Sequence, residues 1–413
     1  MSNKKKILAQ LSKGEIKLYE IEKFTDLDQA IIIRREYLKT LTKSALDSVK
    51  IFSFSPEQIY HRNCENVIGG VSLPVGIAGP ILVNGEYAKG KFFVPFATTE
   101  GALVASINRG MKVINESGGA STSVIYHGIT RAPVFKTSSL KDSKVFVKFI
   151  QDNLANLKKI TMSTGRFIKL IKFTPFINGK SVWLRFHFDT KDAMGMNMAV
   201  KATQAITDYV TKKTNVKLVA ISGNMCIDKK PAMINTLLGR GRSVQAEVKV
   251  QREVAEKYLN TTIEDMFDVN FRKIWQGSNF SGSLGYNAHI ANIVVANFIA
   301  TGQDPAHVVD ASVSTTTMEI EGNQLYVFVN IPSLNVATVG GGTSLASQAE
   351  LINLMLANVD SSKQIKNRTD AFAEILGAAI LAGEINLHAA FSNNTFVKAH
   401  EDLGRSKYRK SEY

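Results

Sequence analysis

Four side chains could move a proton or steady a developing charge: Glu100, Lys229, Asp304 and His400. Lys229 lies in the stretch Val216 to Pro231, where an apolar, strand-like half runs out through Ser222-Gly223-Asn224 into three consecutive charges, Asp228, Lys229 and Lys230. Ser, Gly and Asn favour loops because their side chains or flexibility compete with regular pairing, and Pro231 starts the next segment with a fixed φ. An acid beside two ammonium groups at a strand exit suits an anion, and the same composition also makes a plain solvated turn. The other three residues have equally ordinary explanations. Glu100 suits a helix N-terminus, Asp304 can cap the segment after it, and a histidine in a charged tail commonly has no task.

Backbone groups offer a second kind of chemistry. Val339-Gly340-Gly341-Gly342-Thr343-Ser344 opens a helix, so its N–H groups can gather on an anion, although a sharp strand-to-helix turn needs the same glycines. Asp192 to Met198 starts a helix after a strand, and Gly195 permits close backbone approach; the segment is not a Rossmann fingerprint and could equally be a Met-rich packing helix. His289 and Asn292 are spaced i, i+3 on one helical face, which serves substrate contact or internal hydrogen bonding alike. The seven histidines are dispersed and no His/Cys pair has ligand spacing, so no metal is expected. Cys226 stands near Lys229 without a histidine beside it in sequence, which favours packing over nucleophilic work.

The elements that must position these groups follow from periodicity. Residues 1–64 read as an N-terminal helical arm, with apolar spacing over 30–46 and an acidic start at Asp26 and Asp28. From 65 to 95 the pattern is β-like, with Asn84-Gly85 as a turn, and a helix over 100–115 is capped by Thr98 or Thr99 and stopped by Gly118-Gly119. Then come a strand at 123–136, a helix at 140–159, strands at 166–176 and 181–188, a helix at 193–213 and the strand before Ser222. That order is β-α-β-β-α-β, a ferredoxin-like domain over 133–220 inserted into a large α/β domain made of 65–132 and 221–413. The rest of the large domain reads as a strand at 243–250, two helices over 251–276, a helix at 284–300 stopped by Gly302, strands at 313–320, 325–331 and 334–339, and a last helix at 370–391. The fold class expected is α+β.

Composition narrows the partners. At 413 residues, with 45% hydrophobic and 21% charged residues, the chain suits two or three globular domains. The net charge of +14 fits nucleic acid, a membrane surface or small phosphate-bearing ligands. Basic residues fall in short clusters, without the aromatic-interleaved stripe of a single-strand binder, so nucleic acid is the weaker reading. Two cysteines indicate a reducing compartment, and no apolar run is long enough for a signal or a membrane span: 371–383 is short and interrupted by Glu374. A cytoplasmic chain without a membrane partner is expected.

Six stretches in order, Glu65-Asn66-Val67-Ile68-Gly69, Ala97-Thr98-Thr99-Glu100-Gly101, Asp192 to Met198, Ser222 to Pro231, Gly302-Gln303-Asp304 and Thr338 to Thr343, resemble the signatures of the 3-hydroxy-3-methylglutaryl-coenzyme A (HMG-CoA) reductase family. The Thr-Thr-Glu-Gly form is similar to the branch of eukaryotes and archaea, class I. The resemblance implies reduction of the HMG-CoA thioester to mevalonate and free coenzyme A with two NADPH, in isoprenoid synthesis. It implies Lys229 as oxyanion stabiliser, His400 as proton donor to the coenzyme A thiolate, Glu100 as proton donor to the aldehyde oxygen, and Asp304 as the carboxylate joining Lys229 and Glu100. Substrate positions carried over are Arg131, Ser222, Asp228 and Lys230 for the acyl carboxylate, Asn292 for an acyl oxygen, and Ser106, Asn108, Arg109 and His289 near coenzyme A. Cofactor positions are Arg166, Phe167, Asp192, Met194, Gly195, Met196, Asn197, Val339, Gly340 and Arg405. Gly165, Val200 and Gly404 depart from the family pattern near that site, which bears on the choice of NADPH over NADH. The family builds its site between subunits, implying a homodimer or higher homo-oligomer.

Overall fold

Alanine, leucine and isoleucine surround the helix Arg368–Ser392 on every side, so it has no face to offer water and lies in the middle of the fold. The computed structural model describes residues 3–362 and 364–393. By length and composition this helix could cross a membrane, but 89% of its apolar window is buried inside the fold. The last helix, expected over 370–391, is found at Arg368–Ser392, apolar beyond the 371–383 run but buried in the core. Its two buried acids are tied to backbone. Glu374 accepts from the N–H groups of Glu86, Tyr87 and Ala88, and Glu384 from those of Ala288 and His289 and from Thr316 Oγ1. Burial pushes the Glu374 carboxyl upward, against these three donors.

Ten strands surround this helix and a second core: β1 Val75–Asn84, β2 Lys89–Ala97, β3 Ala120–Arg131, β4 Val134–Lys136, β5 Lys169–Asn178, β6 Ser181–Asp189, β7 Lys217–Ala220, β8 Gly241–Gln251, β9 Thr315–Glu321 and β10 Gln324–Leu334. β8 pairs antiparallel with β3 and with β10, and β10 with β9. β1 pairs antiparallel with β2 and touches β3 in parallel at Val83 and Asn84. β3 is the shared member: Tyr126 pairs with Arg242 of β8, and three residues on Ile129 pairs with Phe188 of β6. Beyond that point the order is β5-β6-β4-β7, all antiparallel, over a separate apolar cluster that includes Phe135, Phe146, Phe186 and Val210.

Several boundaries differ from the sequence reading. The strand expected over 123–136 breaks at Ala132-Pro133, because Pro133 has no N–H to continue the ladder. The helix expected over 140–159 is two, Leu140–Asp152 and Leu154–Ser163. The helix Leu103–Glu116 starts after a left-handed Ala102 with no side-chain cap, since Thr98 Oγ1 accepts instead from the N–H of Glu100. Ile290–Thr301 starts late because Glu384 and Asn287 bind the backbone of the preceding turn and of residues 312–314. The strand expected at 325–331 is β10, which runs on to Leu334, and 335–339, expected as a strand, is irregular chain. The helix expected from the apolar spacing over 30–46 with an acidic start is Leu27–Thr42, capped by Asp26 through the N–H of Gln29, whereas 43–64 holds only the short turn Pro56–Ile59.

Candidate active site

The loop after β7 is held in a contour that ordinary residues avoid. Asn224, Ile227 and Lys229 have φ of 64°, 42° and 58°. Such left-handed residues cost roughly 1–3 kcal/mol each and persist where the surroundings over-determine them. The surroundings here are three donors to loop carbonyls: Arg185 Nη1 to Met225 O at 2.6 Å, Thr130 Oγ1 to Cys226 O at 2.9 Å and Asn235 Nδ2 to Ile227 O at 3.2 Å. Cys226 is buried beneath the loop, in keeping with a packing role.

Held this way, Lys229 Nζ lies 2.7 Å from Asp304 Oδ2. Asp304 is fixed at its other oxygen, where Oδ1 accepts from the N–H of Ala306 and caps the turn Pro305–His307. Burial raises the Asp304 carboxyl, but the Lys229 hydrogen bond, the nearby His307 charge and the Ala306 N–H together hold it below the usual carboxylate range. The pair faces a cleft of about 660 Å³. One wall is Ala193 to Met198 with Arg131, and the other is Gly302 to Pro305 with Val339 to Thr343.

Of the substrate and cofactor residues expected from sequence, Arg131, Asp228, Met194, Gly195, Met196, Asn197, Val339 and Gly340 line this cleft. Arg131 Nη1 donates to Ser222 Oγ at 2.9 Å, leaving a guanidinium and a hydroxyl side by side. Asp192 does something else: its Oδ1 accepts from Thr369 Oγ1 at 2.9 Å and its carbonyl from Thr338 N–H at 3.0 Å, which ties this segment to the core helix and to the chain leading into the Gly-rich turn. Asn292 Nδ2 donates to Glu100 Oε1 at 3.5 Å, and among the described residues Glu100 makes no bond to Lys229 or Asp304. The expected three-membered link is thus seen as two pairs. Ser106 Oγ accepts from Asn386, Asn108 Oδ1 from the N–H of Gly79, and Arg109 is exposed on the same helix. His289 is the N-cap residue of Ile290–Thr301, so its pairing with Asn292 is a first-turn rather than a mid-helix relation, and its Nε2 is buried. Arg166 stacks over the Phe167 ring at 5.3 Å on the exposed loop before β5, outside the cleft lining. His400 and Arg405 lie outside the described residues.

Two expected roles change on inspection. Lys230 is exposed and its Nζ reaches only the Asp228 carbonyl. Asp228 points inward: its Oδ1 accepts from Arg240 Nη2 at 2.7 Å, and Arg240 Nη1 donates to Asp310 Oδ2 at 2.7 Å. A carboxylate so paired shapes the site rather than binding another carboxylate. The sequence reading missed Arg240, His307 and Asp310, all buried. The spacing Asp304-His307-Asp310, each three residues on, could have drawn attention to them as one helical face. Asp228, His307 and Asp310 lie close enough to hold a metal ion, but the Arg240 guanidinium already bridges the two carboxylates with its own charge.

Known proteins resemble this chain over nearly its whole length. The sequence profile of the family described as Hydroxymethylglutaryl-coenzyme A reductase matches residues 30–405. A Haloferax volcanii protein named 3-hydroxy-3-methylglutaryl-coenzyme A reductase is 43% identical over 405 residues, 98% of this chain and 100% of that one. A Methanothermobacter thermautotrophicus protein of the same name is 44% identical over 400 residues, 97% and 99% of the two chains. The fold resembles that of the class II enzyme of Streptococcus pneumoniae, solved with NADPH in open conformations, with a TM-score of 0.64 at 19% identity over 91% of this chain and 100% of that one.

Proposed function

The chain belongs to the hydroxymethylglutaryl-coenzyme A reductase family, and from that premise we propose that it reduces HMG-CoA to mevalonate and free coenzyme A in two steps, consuming two NADPH. The observation that carries the reading is the Lys229–Asp304 pair at 2.7 Å, on a cleft that the glycine-rich turn Val339 to Thr343 also lines.

A dinucleotide fits this cleft on its own chemistry. Gly340 and Gly341, at φ of 81° and 58°, leave room where a side chain would intrude, and the turn they open presents backbone donors. Met194 to Asn197 and Val339-Gly340 would hold NADPH, Arg166 and Phe167 would lie toward its adenosine end, and Arg405 is assigned to the cofactor by family resemblance alone. When bound, NADPH supplies the hydride for both reductions. Lys229 donates hydrogen bonds to the oxygen that turns anionic as the thioester carbonyl is reduced, and Asp304 keeps that ammonium aimed. His400 protonates the departing coenzyme A thiolate. Glu100, steadied by Asn292, delivers a proton to the oxygen of the aldehyde in the second step. Arg131 and Ser222 take the free carboxylate of the acyl group, with Lys230 at the entrance, while Ser106, Asn108, Arg109 and His289 form the coenzyme A side.

We read 133–220 as an inserted ferredoxin-like domain, a reading supported by the strand order β5-β6-β4-β7 and by its own apolar core. Class I membership is supported by the Thr-Thr-Glu-Gly motif and by relatives in archaea and in Dictyostelium discoideum, the latter 41% identical over 408 residues. A homodimer or larger assembly in the cytoplasm is part of the same proposal. It is supported by the exposed side chains Val71 and Leu73, in the chain leading into β1, and Val75 and Ile77 at its start, an apolar strip suited to a second copy. The test is loss of reduced-nicotinamide absorbance when HMG-CoA is added, run with NADPH and NADH in parallel. Turnover with NADPH and little with NADH is expected; no oxidation of either would sink the assignment.

A further inference from the structure

Three residues after Asp304 stands a side chain that this division of labour leaves without a task. His307 is fully buried, and both of its ring nitrogens face carboxylates. Nδ1 is 2.8 Å from Asp310 Oδ2, and Nε2 is 3.7 Å from Asp304 Oδ2 and 3.8 Å from Asp228 Oδ1. A neutral imidazole carries hydrogen on one nitrogen only. With hydrogen on Nδ1 alone, the Nε2 lone pair would face two carboxylates; with hydrogen on Nε2 alone, the Nδ1 lone pair would face Asp310 at 2.8 Å. Arg240 Nη1 is the other neighbour of Nδ1, but at 3.4 Å it competes poorly with a carboxylate contact at 2.8 Å.

We propose that His307 is a positioning residue for Lys229: it carries hydrogen on both ring nitrogens, braces against Asp310, and holds the Asp304 carboxylate turned toward the Lys229 ammonium. The inference rests on the reaction assigned above. The charged groups around the ring come from every element that packs there. They are Asp228 from the loop, Asp304 and Asp310 from the turn and the short helix Val308–Ala311, Arg240 from the approach to β8, and Lys229 beyond Asp304. Arg185 on β6, the next cation, is engaged with the carbonyls of Met225 and Gly239 and with Asn235. Asp304 Oδ2 is hydrogen-bonded to Lys229 on one side and lies 3.7 Å from His307 Nε2 on the other, a buried nitrogen without a hydrogen-bond partner, so a positive ring holds the carboxylate by charge across that gap while Oδ1 stays on its cap.

The test uses the full chain with His307→Leu and His307→Gln. The leucine variant should lose about tenfold or more in kcat for NADPH oxidation with HMG-CoA, with both KM values within about twofold of wild type. The glutamine variant should recover part of that loss, because its amide returns one N–H donor. Nitrogen-15 histidine spectra of the wild-type protein at neutral pH, assigned by the signal missing in His307→Gln, should show both ring nitrogens protonated. A neutral His307 ring, wild-type kcat in the leucine variant, or two variants equally slow and equally destabilised would each overturn the proposal. If the wild-type protein does not oxidise NADPH with HMG-CoA, the functional assignment fails, while the spectrum still judges the ring.

Discussion

Lys229 shows how a single residue is prepared for its task before substrate arrives. Its backbone is left-handed, at φ 58°, so the side chain leaves the loop in a direction that an extended or helical lysine could not take. Its ammonium is half exposed, yet it is anchored on one carboxylate, which keeps a charge at the cleft without fully desolvating it. We expect Lys229→Ala to lower kcat/KM by about a hundredfold or more for reduction of both the thioester and the free aldehyde, since both steps put charge on the same oxygen. The melting temperature should change little, because only a partly exposed pair is lost. Near-normal turnover in either assay would remove Lys229 from its assigned role.

At the scale of elements, the cleft depends on how closely two turns approach. Gly302 ends the helix Ile290–Thr301 at φ 66°, and a Cβ there would sit 2.3 Å from the carbonyl oxygen of Gly342 in the Gly-rich turn. Gly340 has a comparable φ of 81° but open space around it. Gly302→Ala should therefore lose clearly more thermal stability than Gly340→Ala, and it should raise KM for NADPH more than KM for HMG-CoA, because the turn it displaces lines the cofactor side. Calorimetry with steady-state kinetics on both variants checks this; equal effects would mean the turn yields without cost. The same pair marks what the sequence disclosed and what it hid. A Gly after an apolar helix and a run of three before the next are local signals, and the stop at Gly302 was legible for that reason. The acidic start at Asp26, which caps Leu27–Thr42, and Asn84-Gly85 as the turn between β1 and β2 were legible likewise. Glu384 pinning the turn before Ile290 acts across 96 residues, and Arg240 reaching Asp310 acts across 70, so no window of sequence contains either partner's reason. Asp228 is assigned to the acyl carboxylate by family resemblance alone, while the Arg240 that its Oδ1 accepts from lies twelve residues on, beyond a helix.

At the scale of the molecule, stability and charge are both unevenly distributed. His187 on β6 is buried, its Nδ1 meets the carbonyl of His127, and burial lowers its pKa from the ordinary 6.5 to about 4. The unfolded chain thus binds a proton at His187 that the folded chain refuses, so folding stability should rise with pH across the window from about 4 to 6.5 and level off above it. The contribution is on the order of 3 kcal/mol at most. Denaturant unfolding at several pH values should show the wild type losing stability on acidification faster than His187→Gln; parallel curves would reject it. Charge is concentrated in the same region. Residues 133–220 hold sixteen Lys and Arg against five Asp and no Glu, most of the chain's formal excess of +14. The lysines of Leu140–Asp152, Leu154–Ser163 and Met196–Lys213 are largely exposed and make few ion pairs among the described residues. Scattered surface cations do little for stability, but together they set up a field that draws anions toward one side of the protein. The cleft wall formed by Ala193 to Met198 belongs to that side, and NADPH carries several negative charges. The rate of NADPH capture, read as kcat/KM at saturating HMG-CoA, should therefore fall steeply as salt rises, with kcat nearly constant. Replacing Lys144, Lys148 and Lys201 by Gln, none of which lines the cleft, should flatten that salt dependence without altering kcat. A salt response unchanged by the triple substitution would show that the field of this region plays no part in capture.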